Sequence, residues 1–323
     1  MTLDMFAERK VVSTAGSDQS ERRQASGVAR PASSNSMMLP KPNDAFEWVQ
    51  ASAGQSLICR PLERAASHLF TTRLWPLGST SSADRGEGWD DVANAMGVNR
   101  AHLVRVHQVH GATVVVVRRD SEVSSACTAE TALLPDADII VSNDPAQAIA
   151  IQTADCVPLL VADRRTGAVA AAHAGWRGLA ARVPEVAVQR LSQEFGGRPD
   201  DLLVAIGPSI GACCYEVGGD VRACFETAGF SGLRLERWFV SEPRPSDTNP
   251  SMPSLPPNRR ADHWFFDGWA ATCDQLEWAG VPRGQMYVAE LCAASHADAF
   301  CSYRRDGSRA GRLAGAIRAR NYF

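Results

Sequence analysis

Two unbroken apolar runs around a short polar turn constrain this chain more than any other feature. Val157–Ala162 and Ala168–Ala172 flank Asp163-Arg164-Arg165-Thr166-Gly167. Apolar runs of strand length on either side of an Asp-to-Gly turn read as a β-hairpin. With the turn centred between Arg164 and Arg165, Cys156 enters the first strand opposite His173, which leaves the second. A glycine bulge at Gly167 would shift this pairing by one residue. Directly opposed side chains of an antiparallel pair share a face, with Cβ atoms about 5 Å apart. A thiol and an imidazole so placed can share a proton or a metal, because Zn–S of about 2.3 Å and Zn–N of about 2.0 Å are both within reach. The same spacing also suits an inert buried cysteine beside a core histidine, and spacing alone does not separate the two.

Around the hairpin the pattern is mixed. His68–Arg73 reads as a strand and Trp89–Val98 as a short helix, and β-type runs follow at Leu103–Val106, Ala112–Val117, Ala137–Ser142 and Ala148–Gln152. Leu179, Val183, Val186, Ala187 and Leu191 recur at helical offsets, with Pro184 comfortable only in a first turn. Leu202–Ile206 is a strand ending at Gly207-Pro208, and Val217–Ala228 and Phe265–Ala279 are helix candidates. Strands in hairpin-like runs with helices between the later ones predict an α+β protein or a layered αβ sandwich. Residues 1–42, rich in Ser, Ala, Arg and Gln, are expected to be a disordered extension, leaving one domain over 43–323. Residues 241–262 are too proline-rich for a helix or central strand and are expected to be a surface insertion.

Composition narrows the function. No apolar run approaches the ~20 residues a membrane helix needs. Net charge is −3 and the pI is near 6.2, which argues against a nucleic-acid binder, since phosphate contacts require a basic surface. The nine cysteines, at 59, 127, 156, 213, 214, 224, 273, 292 and 301, are odd in number, irregularly spaced and without a CxxC pair. They point to a reducing cytoplasm and mostly buried, unpaired thiols rather than a disulfide framework. The vicinal Cys213-Cys214 is read as packing, and Cys292 as a structural or supporting residue.

The surroundings of Cys156 and His173 sharpen the chemistry. Cys156 lies in Thr153-Ala154-Asp155-Cys156-Val157-Pro158, and His173 opens His173-Ala174-Gly175-Trp176-Arg177-Gly178 ahead of a helix. A glycine turn at a helix start presents free N–H groups, and Arg177 adds a fork that fits phosphate or carboxylate. These segments, together with Gln108-Val109-His110-Gly111, Gly207-Pro208-Ser209-Ile210-Gly211, Tyr215-Glu216-Val217-Gly218 and Ser302-Tyr303-Arg304-Arg305-Asp306-Gly307, resemble the YfiH family. That family is also described as multicopper polyphenol oxidoreductase (laccase) and includes FAMIN-like purine nucleoside phosphorylases. The resemblance runs in order over about residues 65–320. It departs from the family at Leu74–Glu87, which puts substrate identity in question more than the metal site.

The resemblance implies a layered αβ sandwich and a metal site of His110, Cys156 and His173, usually zinc, with copper as the alternative. It implies phosphorolysis of adenosine, inosine, guanosine and methylthioadenosine, with adenosine deamination alongside, so that the partners are purine nucleosides and phosphate. Three protein ligands with an open fourth position is the pattern of catalytic zinc. On this view Cys156, His110, His173 and Asp155 are the catalytic candidates, Asp155 as proton donor or as a group orienting a ligand. Gly175, Trp176, Arg177, Tyr303 and Arg304 are the candidates for holding substrate and phosphate. Three other readings compete: a cysteine-dependent amide hydrolase of the kind that edits peptidoglycan precursors, a copper polyphenol oxidase, and a non-enzymatic metal-binding module. Seven histidines and no HxH motif argue against a multicopper oxidase. His107, His102, His263 and His296 are expected at the surface, whereas His68 is a candidate pocket residue.

Overall fold

A computed structural model describes residues 39–78, 88–119, 134–256 and 260–320. The expected extension up to residue 38, Cys127 and residues 79–87 of the divergent segment lie outside them. Packing begins before residue 43: Leu39 rests on the central core and the Trp48 indole donates to Pro40 O at 2.8 Å.

Two six-stranded sheets face each other. One runs Phe46–Ala51, Gly54–Cys59, Ala66–Thr71, Leu313–Ala319, Ala148–Thr153, Leu103–Val104; the other runs Met286–Val288, Leu202–Ile206, Val157–Asp163, Val169–Ala174, Ile139–Ser142, Val114–Val117. Alternation along the strands explains why the hairpin is apolar throughout. Leu160, Ala162 and Ala171 point into the core between the sheets, whereas Leu159, Val161, Ala170 and Ala172 point to the opposite face, beneath the helices Val183–Phe195 and Gly268–Trp278. The helix Gly88–Ala95 covers the outer face of the first sheet through Trp89, Val92 and Ala93. The architecture is therefore helix, sheet, sheet, helix: the layered sandwich anticipated above. Among the described residues no helix is long and apolar enough to cross a membrane.

Three local expectations are corrected. The helix over 179–191 is two, Trp176–Ala180 and Val183–Phe195, parted at Arg182 with φ 62°. Pro184, which lacks an N–H, takes the first turn of the second. The helices expected from Val217 and Phe265 start later, at Gly219 and Gly268. Their leading residues instead form Glu216–Gly218 and His263–Phe266, which pair in a small third sheet. The hairpin register also differs. His173 pairs with Pro158 and Ala174 with Val157, so the turn is centred between Arg165 and Thr166. The cause is in the loop: Asp163 Oδ1 accepts from Arg165 N at 2.7 Å and Thr166 N at 3.0 Å, and Gly167 takes φ 76°. The displacement amounts to two residues. An even shift keeps every side chain on its face, so Cys156 and His173 still share one.

His68 is not at the pocket. It is buried in its strand, where Nε2 accepts from Cys59 N at 2.8 Å, and burial lowers its pKa to about 4. Between the ordinary value and that lowered one the unfolded chain binds the proton and the folded chain does not, so stability falls as pH falls through this window. The wild type is expected to lose up to about 3 kcal/mol between pH ~6.5 and ~4 by this route. His68→Gln, which can still accept the Cys59 N–H, should show a flatter profile in urea melts over the same range.

Candidate metal centre and adjoining cleft

The second sheet brings the chemistry to one end. Cys156 immediately precedes the strand Val157–Asp163, His173 lies near the end of Val169–Ala174, and His110 sits in the loop before Val114–Val117. The ligand atoms of the three lie within 4.8 Å of one another. His173 is buried, Cys156 half-buried and His110 exposed, so the cluster is closed below and open at the His110 side. The two imidazoles meet edge to face with centroids 4.8 Å apart.

Asp138, which sequence reasoning passed over, organises the cluster. Its fully buried carboxylate accepts from His173 Nδ1 at 2.8 Å and His110 N at 3.0 Å through Oδ1. Through Oδ2 it accepts from Gly111 N at 2.6 Å and Val109 N at 3.2 Å. A carboxylate only accepts, so the His173 proton is on Nδ1 and Nε2 is left free as a ligand. The bonds from the 109–111 loop also hold His110 at φ 62°, a left-handed conformation that costs an ordinary residue about 1–3 kcal/mol. Burial opposes the Asp138 charge, but the His173 imidazole and the His110 and Gly111 N–H groups outweigh it and hold the carboxyl below its ordinary range. The available signal was Asp138 itself, an acid running directly into Ile139-Ile140-Val141.

Without a metal, the site favours a thiolate–imidazolium pair. Burial opposes both charges. The His173 charge and hydrogen bonds from both histidines nevertheless bring the Cys156 thiol down to about 6, and the Cys156 and Asp138 charges push His173 up to about 9. Two imidazoles and a thiolate with an accessible fourth side suit an open zinc site. Gly175 makes room for the sulfur: a Cβ there would lie 2.8 Å from Cys156 Sγ and 3.3 Å from His110 Cδ2. Gly175→Ala is therefore expected to lower metal occupancy at least about tenfold by elemental analysis, because a site displaced by ~0.5 Å no longer matches an ion. The helices flanking the site should keep their circular dichroism.

Beside the cluster lies a narrow cleft, lined by Asp155, Cys156, Trp176, Ile210, Tyr215 and Phe266 among others. Asp155, at φ 91°, accepts from Arg304 N at 2.6 Å through Oδ2, whereas its buried Oδ1 has no protein partner. Burial pushes its pKa up to about 7, against the hydrogen bonds from Arg304 and Ser302. The Arg304 guanidinium donates to Glu216 O at 2.7 Å and stands 5.3 Å from the Tyr215 ring centroid. Of the anticipated substrate residues, Gly175 and Trp176 line the cleft, and Arg304 adjoins it through its contacts with Asp155 and Tyr215. Arg177 is exposed and stacks on Trp176 at 4.2 Å, and Tyr303 is 54% exposed; neither lines the cleft. The helix after Gly175 has only five residues, so its end offers little dipole. His107 pairs with Asp136 at the surface, as expected, whereas His296 is half-buried against Asn249.

A two-sheet sandwich with a His₂Cys donor cluster at its strand ends defines the class of protein. The chain belongs to the multi-copper polyphenol oxidoreductase laccase family, whose sequence profile matches residues 86–320. A purine nucleoside phosphorylase of Bacteroides thetaiotaomicron is 33% identical over 67% of this chain and 72% of its own. Adenosine deaminase RL5, from an unknown prokaryotic organism, is 30% identical over 68% of this chain and 76% of its own. Purine nucleoside phosphorylase YfiH of Escherichia coli is 32% identical over 66% and 72%. In fold, YlmD of Geobacillus stearothermophilus superposes with a TM-score of 0.65 at 26% identity, covering 85% of this chain and 99% of that one. YfiH of Bacillus licheniformis superposes at 0.70 over 86% and 100%, and at 22% identity it speaks for the fold alone.

Proposed function

We propose that this chain is a zinc-dependent purine nucleoside phosphorylase acting on adenosine, inosine, guanosine and methylthioadenosine, with adenosine deaminase activity in the same cleft. The observation that carries the reading is the His110–Cys156–His173 cluster opening beside a cleft whose lining includes Asp155, one carboxyl oxygen of which is buried without a protein partner. The names of the relatives support its phosphorylase and deaminase activities. Bound zinc, held by those three residues, would supply Lewis acidity and favour hydroxide over water near neutral pH.

The chain's own groups account for the rest. Phosphorolysis forms a bond from a phosphate oxygen to C1′ and breaks the C1′–N9 bond, and the departing purine takes up a proton. Asp155 Oδ1 is placed to hold that proton at the cleft wall. Trp176 and Tyr215, both half-buried, offer faces against which a purine packs and water is excluded, with Phe266 buried behind Tyr215. Arg304 orients the phosphate, and Arg177 reaches it by leaving its stack on Trp176. Deamination consumes water and releases ammonia, and Asp155 serves the same proton-holding role. The test is product formation with and without phosphate. Ribose 1-phosphate appearing only when phosphate is added supports the reading, and no phosphate-dependent release of base from any of the four nucleosides overturns it.

One observation favours a second reading. Cys156, His173 and Asp138 stand in the order nucleophile, base and orienting acid, as in a cysteine-dependent amide hydrolase. That enzyme would keep its activity after chelation and form a covalent adduct on Cys156. The unpaired thiols support a reducing, cytoplasmic setting for either enzyme.

A further inference from the structure

Behind the cleft wall lies a second sulfur cluster. The loop Gly207–Tyr215, whose Ile210 N donates to Asp155 O at 2.9 Å, carries Cys213 and Cys214. Its Ser209 bridges to Cys292 in parallel pairing, and the three sulfurs come within 4.8 Å of one another. All three residues are at most 2% exposed. Cys292 Sγ accepts from Gly211 N at 3.3 Å, and Ser295 Oγ lies 3.5 Å from Cys213 Sγ and 3.4 Å from Cys214 Sγ. Asn249 braces the site from the proline-rich segment: its Oδ1 accepts from Cys292 N at 2.7 Å and its Nδ2 donates to Glu290 O at 2.7 Å. Ile210, Met252 and Ala294 supply apolar walls. Ser295 Oγ–H donates to Pro250 O at 2.6 Å, so its oxygen faces the two sulfurs as an acceptor. Packing accounts for the burial of each thiol. It does not account for the convergence of three sulfurs from two distant segments, with the Gly211 N–H aimed at one of them.

We propose that Cys213, Cys214 and Cys292 form a second metal site, for a thiophilic d¹⁰ cation bound by sulfur alone, namely Cu(I) in three-coordinate geometry. Among the described residues the cluster contains no imidazole or carboxylate, and His296 is engaged with Asn249 at 3.2 Å. Structural zinc asks for four ligands, whereas a soft all-thiolate set selects Cu(I). Loading releases the thiol protons to solvent, with no change of oxidation state.

The test separates the two sites. Cys156→Ala protein is titrated anaerobically with Cu(I) against a chromophoric Cu(I) chelator, and the bound ion is examined by X-ray absorption. One equivalent with sulfur-only coordination is expected, and none in Cys156→Ala/Cys292→Ser. Cys156→Ala/Cys213→Ala serves as a second variant should the first not fold, as judged by circular dichroism. No binding by Cys156→Ala, coordination by nitrogen or oxygen, or an unchanged equivalent in the double variants overturns the proposal. So does a disulfide among the three cysteines in protein purified without oxidant. Phosphorolysis by the wild type is read separately, so failure here leaves the proposed function standing.

Discussion

Under the proposed function, Cys156→Ala is expected to lose bound zinc and at least about 10³-fold in phosphate-dependent turnover of adenosine. Lewis-acid stabilisation of developing charge supplies several kcal/mol, and each ~1.36 kcal/mol is tenfold in rate. The sulfur is the one anionic donor of the three, so its loss leaves two neutral imidazoles, one of them exposed. The fold should hold, because Cys156 lies outside the strands and only half inside the protein. The comparison that discriminates is chelation of the wild type. A metal-dependent phosphorylase loses activity with its zinc and regains it on re-addition. A cysteine nucleophile loses activity in Cys156→Ala yet keeps it after chelation. Zinc content, turnover and iodoacetamide labelling of Cys156, measured on one preparation, assign the role of the sulfur. Turnover that survives in zinc-free Cys156→Ala would remove the metal from the mechanism altogether.

What the sequence showed of this site depended on parity and local chemistry. The apolar runs at 157–162 and 168–172 announced two strands, and the face shared by Cys156 and His173 survived a wrong register because the error was even. The loop length itself was not legible. It follows from the Asp163 side chain folding back on two backbone N–H groups, a choice made in three dimensions. His110 entered through resemblance, since nothing in its spacing to Cys156 shows that a loop and two strand ends meet. Short strands such as Glu216–Gly218 and His263–Phe266 were absorbed into the helices they precede, because three or four residues carry no measurable period. Arg177 illustrates a different limit: residue type suggested an anion fork, but Trp176 beside it offers a competing cation–π partner that only coordinates reveal.

Asp138→Asn should have the largest effect of any change that touches no substrate. The carboxylate takes four donors, three backbone N–H groups and the His173 Nδ1–H, with no exposure to water. Asparagine keeps the shape but turns one oxygen into an NH₂, which faces N–H groups and cannot accept from them. At least one buried donor is then stranded, at about 1–3 kcal/mol, and the charge-assisted bond to the imidazole weakens. Removing one partner of a buried pair typically costs about 3–5 kcal/mol, and that is the loss expected in urea melts. The metal responds through two routes. His173 is no longer held with Nε2 forward, and the 109–111 loop no longer has its anchor to keep His110 left-handed. Zinc affinity should fall about 10–100-fold in chelator competition. At saturating zinc much of the turnover should return, because Asp138 positions ligands and does not reach the cleft. That partial recovery distinguishes it from Cys156→Ala, which lacks the thiolate ligand itself. An affinity within about twofold of wild type would show that the histidines are held by packing alone.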